Sequence, residues 1–143
     1  MHEFETAENA VLGALAPLRN MGLKDLDAYS GQLDVEKIEE VRALFPCIFV
    51  VAGPIDTVPE LKRDGLRITL IVGDQNRRSH HAAALGDSQS PGVYDLLEAI
   101  KLKLHGKQLV PGWKSFRRQG EACLAYAPKK RICIYEAQYL TEI

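Results

Sequence analysis

Two adjacent histidines, His80 and His81, stand between Asp74 and Asp87 in a polar stretch that also holds Arg77 and Arg78. Imidazole and carboxylate are donor types of zinc and nickel sites. A metal-dependent hydrolase would therefore be built here, on His80, His81 and either Asp74 or Asp87. The spacing speaks against it: adjacent side chains in a strand or loop point apart, and no third and fourth ligand at a chelating separation is evident. Gly73-Asp74-Gln75-Asn76 follows an apolar run as a phosphate loop follows a strand, but it lacks the glycine spacing and the Lys-Ser/Thr ending. No serine sits in a G-x-S-x-G setting, and no cysteine lies beside a histidine. Trp113, Phe116, Arg117 and Arg118 form a basic–aromatic cluster of the kind that stacks on bases; the competing reading is a strand face or an interface rim. No residue is assigned to catalysis, a cofactor or a metal. Asp74, Arg77, Arg78, His80 and His81 read instead as a solvated contact surface.

The bulk properties agree with a structural role. A chain of 143 residues that is 46% hydrophobic and 26% charged fits one domain with a proper core. No apolar run is long enough to span a bilayer, and the acidic start lacks the features of a signal peptide, so synthesis in the cytoplasm is expected. Cys47, Cys123 and Cys133 are too few and scattered for a disulfide framework or zinc knuckle, and each lies in an apolar, strand-like context that predicts a small buried side chain. The net charge of −1 argues against generic nucleic-acid binding, but its distribution is uneven. Residues 1–60 hold 11 acids and 4 bases, whereas residues 101–131 hold 9 bases and one acid, Glu121. Two oppositely charged ends suit head-to-tail association.

The elements that must position these residues follow from periodicity. Phe4, Ala7, Val11, Leu15 and Leu18 predict a helix from Glu3 to Leu18. Lys24–Tyr29 alternates as a short strand. Asp34 is placed to cap a helix over Val35–Phe45, which Pro46 closes. Cys47–Ala52 reads as a strand covered on both faces, and 53–60 as a connection or edge. Leu66–Val72 is the central buried strand. Gly73–Ser90 is expected to be one long polar loop, and loops of that length are often functional. Ser90 and Pro91 would then start a helix bearing Val93, Leu96, Leu97, Ile100 and Leu104 on one face, with Gly106 as its stop. Strands follow at Trp113–Arg118, Glu121–Tyr126 and Arg131–Leu140, the last two joined by a turn at Ala127–Lys130. The fold class is α+β: a single domain over 1–143, with a mixed sheet of about four to six strands and two or three helices packed on it.

Three segments together resemble a known family. They are Tyr29–Asp34 leading to Leu44–Gly53; Arg67–Val72 with the Asn76-Arg77 loop and Gly92–Ile100; and the closing Ile134–Tyr139. The chain is similar, over nearly its whole length, to a family of proteins encoded in Mu-like phages and prophages between the head-completion genes and the tail sheath and tube genes. That resemblance implies a tail-completion protein with a tail-terminator-like fold. It also implies a hexameric ring that caps the tail tube and joins tail to head in the virion tail, after synthesis in the host bacterium. Its partners would be other copies of itself, the tail tube or sheath protein, and the head–tail connector protein. The family supplies no catalytic residue to carry over. The rival readings are the hydrolase on the His80/His81 loop and a head–tail neck connector that touches DNA through the basic C-terminal half.

Overall fold

In the computed structural model, residues 1–33, 44–61, 63–76, 78–87 and 90–143 are described. Helix α1 (Glu3–Leu15) forms where Ala7, Val11 and Leu15 recur every fourth residue, and all three are fully buried. The His2 ring caps it, Nδ1 accepting from the Phe4 N–H at 3.0 Å. The helix was expected to reach Leu18 but stops at Leu15 and tightens into a 3₁₀ segment, Ala16–Met21. Pro17 has no N–H to donate to the preceding turn, and Leu18 still reaches the core from the tighter coil.

Five strands follow: β1 (Asp25–Ala28), β2 (Cys47–Val58), β3 (Arg63–Gln75), β4 (Arg117–Ala127) and β5 (Ile132–Glu142). Their order in the sheet is β1-β2-β3-β5-β4. Strand β1 runs parallel to β2, and every other pair is antiparallel, so the sheet is mixed. The expected pairing of the central strand with Cys47–Ala52 is present, as Ile48↔Val72 and Val50↔Leu70. Strand β2 does not end at Ala52, however. Its register shifts between Ala52 and Ile55, around Pro54, and pairing resumes at Ile55↔Leu66. A proline without a ladder N–H is tolerated at such an irregularity.

Two further helices, α2 (His80–Leu85) and α3 (Val93–Leu104), lie between β3 and β4. Val93, Leu96, Leu97, Ile100 and Leu104 of α3 are all buried, as their spacing predicts. With α1 they cover one sheet face, meeting Leu66, Ile68, Leu70 and Val72 of β3. The opposite face holds a smaller cluster of Leu33, Cys47, Phe49, Ile71, Ile132 and Ile134. The helix expected over Val35–Phe45 falls almost wholly on residues 34–43, outside the described residues.

The last strands differ from expectation in their limits. Trp113 lies in a turn, its N–H donating to the Val110 carbonyl at 3.1 Å. Arg117–Ala127 is one strand that shifts register between Arg118 and Gly120, rather than two. The turn after Ala127 is as expected, with Arg131 in the left-handed region (φ 58°).

Candidate functional site

The stretch 73–90 is not one loop. Strand β3 continues through Gly73, Asp74 and Gln75, which pair with Ile134, Cys133 and Ile132 of β5. Then Ser79 caps α2, its Oγ accepting from the Ala82 N–H at 3.0 Å. Three consecutive alanines make good helix of His80–Leu85, and all three are buried. Beyond Gly73, β2 has run out, and the segment joining α2 to α3 fills the space beside Asp74.

Asp74 organises that space from inside. Although charged, it is only 1% exposed. One carboxylate oxygen accepts from the Ser90 hydroxyl and from the Gly92 N–H (3.0 Å), and the other accepts from the Gln75 N–H (2.7 Å). Burial pushes its carboxyl up from the ordinary range; the Ser90, Gln75 and Gly92 donors oppose that, and Asp87 adds to it. Asn76 continues the network, donating from Nδ2 to Asp87 at 2.9 Å while its Oδ1 accepts from the Arg78 N–H at 2.9 Å. The Asp87 carboxylate in turn accepts from the Ser90 N–H at 3.2 Å. Ser90 is therefore an Asp74 partner, and Gly92 stands at the N-cap of α3 where Ser90 was expected.

A cleft of about 720 Å³ opens over this network, lined by Lys24, Phe45, Gln75, Asn76, Arg78 and Asp87 among others. Asn76, Asp87, Ser90 and Asp74 bind one another along it. The buried carboxylate faces a serine and backbone N–H groups, and no histidine is among its hydrogen-bond partners. The arrangement is a latch that pins the start of α3 to the end of β3.

The five residues read as a contact surface are thus separated. Asp74 is internal, a correction to its place on that surface: a carboxylate with both oxygens engaged below the surface has none to offer a partner. Arg78 and His81 are exposed. His80 is half-buried, its ring set edge-on to Tyr126 with centroids 5.0 Å apart. Arg77 lies outside the described residues. Among the described residues, no three His, Cys, Asp or Glu side chains gather into a metal-binding group.

The basic–aromatic cluster also divides. Phe116 is fully buried and Trp113 packs against the main core, so neither is a free stacking platform. Arg117 and Arg118 remain exposed on β4, with Arg118 paired to Glu121 at 2.6 Å. Cys47 and Cys133 are buried as expected, whereas Cys123 lies in the exposed part of β4, at the edge of the sheet.

Sequence reasoning missed a surface cluster of tyrosines. Tyr94 of α3 and Tyr126 of β4 both bring their hydroxyls to that of Tyr135 of β5, at 3.2 and 3.3 Å. The Tyr94 hydroxyl is pushed up to about 12, chiefly by its hydrogen bond to Tyr135. The three positions share no sequence period, so only the register Tyr126↔Cys133 and the docking of α3 bring them together.

The family model described as Bacteriophage Mu, Gp37 matches residues 4–123, from α1 into β4. The chain belongs to this family. It is therefore a Mu-like phage protein, and the family points to a structural role in the virion. The match spans the latch and both long helices, and it stops short of β5. No curated relative matches the chain.

Proposed function

We propose that this Mu Gp37-family chain is a tail terminator: a subunit of a hexameric ring that caps the finished tail tube and offers the head–tail connector a docking surface. Family membership over residues 4–123 carries this reading. It is supported by a mixed sheet with helices on one face, by a polar network consumed in holding the fold, and by opposite charge at the two ends of the chain. Arg78, which lines the cleft, and His81, exposed on α2, are the residues proposed for the contact with the tube, together with Arg77, the sequence neighbour of Arg78. Such a ring works in the virion tail, and its partners are its own copies, the tube or sheath protein and the connector.

The test is genetic and visual. A phage lacking this gene is expected to make tails that are irregular in length and not joined to heads, as seen by electron microscopy of lysates. Tails of normal length carrying heads would refute the assignment. Arg78→Glu/His81→Glu, which changes two exposed side chains and spares the latch and the buried alanines of α2, should give the same phenotype if the tube contact lies there.

A further inference from the structure

The charge asymmetry of the chain becomes spatial in the fold. The sheet order places β1 and β4 on opposite edges. Helix α1 packs over β1 and β2, and it carries Glu3, Glu5 and Glu8 with no lysine or arginine. Strand β1 adds Asp25 and Asp27. At the other edge stand Arg117 and Arg118 on β4 and Lys129 and Arg131 in the turn that follows, with Lys107 and Lys114 in the segment leading in. Among the described residues there are exceptions. Lys24 precedes β1, Arg19 is turned onto the Leu26 carbonyl, Glu121 and Glu142 sit by Arg118 and Arg117, and Glu136 of β5 stands opposite Ala122 of β4.

The β4 edge is also unusually open. Every residue from Arg117 to Leu124 is exposed, including side chains on both faces of the sheet. Ala122-Cys-Leu-Ala-Tyr-Ala127 bears no charge, and edge strands without charge are the ones that attract partners. Strand β1 is the reverse: short and already capped. The Leu26 carbonyl accepts from Arg19 at 3.4 Å, the Ala28 carbonyl accepts from Gln32 at 3.1 Å, and the Ala28 N–H donates to Asp27 at 2.8 Å.

We propose that copies of this chain join head to tail, the basic β4 edge of one against the acidic α1–β1 edge of the next, through side-chain charge. With the Leu26 and Ala28 carbonyls and the Ala28 N–H already engaged, β1 offers little backbone for the neighbour to extend, so charge and the uncharged β4 patch carry the contact. Two different patches in contact make a heterologous interface, which closes into a ring or runs on as a filament. The proposal rests on the ring reading above and names the surfaces that would form it.

Paired charge reversal tests it. Arg117→Glu/Arg118→Glu makes both edges acidic, and Asp25→Lys/Asp27→Lys makes the β1 edge basic like β4. In sedimentation velocity at low salt the unaltered chain should form closed oligomers that dissociate as salt rises. Each variant alone should associate about tenfold or more weakly. Their equimolar mixture should recover assembly as an alternating ring, which an even number of subunits permits. Thermal melts confirm that the variants fold, and Lys129→Glu, which spares the Arg118–Glu121 pair, should weaken association without touching β4. An unaltered chain that stays monomeric, variants that assemble normally, or a mixture that fails to recover would each overturn this interface. The tail phenotype of the gene deletion judges the ring reading separately, so the two can fail independently.

Discussion

Gly86 and Gly92 cross so closely that the latch around Asp74 depends on their lacking side chains. A Cβ at Gly92 would lie 2.3 Å from the Gly86 nitrogen and 2.6 Å from its Cα, while one at Gly86 would lie 2.1 Å from the Pro91 carbonyl oxygen. These are backbone atoms that no rotamer change can move. Both glycines also have φ near +80° with extended ψ, a region nearly closed to other residues. Gly92→Ala should therefore combine a conformational cost of about 1–3 kcal/mol with an overpacking cost of about 1–3 kcal/mol. The sum is about 2–6 kcal/mol, a large share of a domain's total stability. Gly106→Ala is the internal control: φ is +75°, but nothing lies within 4 Å of the added carbon, so only a conformational cost of about 1–2 kcal/mol applies. Urea unfolding followed by fluorescence of the single tryptophan, Trp113, measures both. If Gly92→Ala loses no more than Gly106→Ala, the close crossing is wrong and so is the latch built on it.

Other outcomes follow from the same packing. Leu97→Ala, on the sheet-facing side of α3 and 7% exposed, should cost about 2–5 kcal/mol in the same urea assay. Asp74 has a folded-state carboxyl raised above its ordinary value of 3.8, so its contribution is fully present below that value and is lost as pH rises through the raised one. The stability of the unaltered chain minus that of Asp74→Asn should therefore fall as pH rises through the acid range, and a value that rises with pH would contradict the burial argument. Cys123 is exposed while the Cys47 and Cys133 thiols are buried and pushed up to about 12. A thiol reagent should modify one cysteine in the folded protein and all three in urea, as read by mass spectrometry.

The sequence alone determined the elements whose burial is periodic. Ala7, Val11 and Leu15 on α1, and Leu96, Leu97, Ile100 and Leu104 on α3, announce themselves because a helix face repeats at a fixed interval. The continuous apolar runs of β2 and β3 do the same for strands covered on both sides. Strand limits were less legible: β2 passes Pro54 by shifting register, and β4 absorbs Gln119 in the same way, and such local slips depend on the neighbouring strand.

The stretch 73–90 shows what pattern cannot supply. Its polarity predicts solvent, yet Asp74 and Asn76 are buried, because their hydrogen-bond partners Ser90, Gly92, Asp87 and Arg78 arrive from up to 18 residues away. A polar group goes inside once its bonds are made there, and a one-dimensional reading does not see those bonds. The charge split between the two halves of the chain was plain in the sequence. That its poles lie on opposite edges of one sheet was decided by strand order, since β5 inserts between β3 and β4 and carries the basic strand outward, away from the acidic α1 and β1.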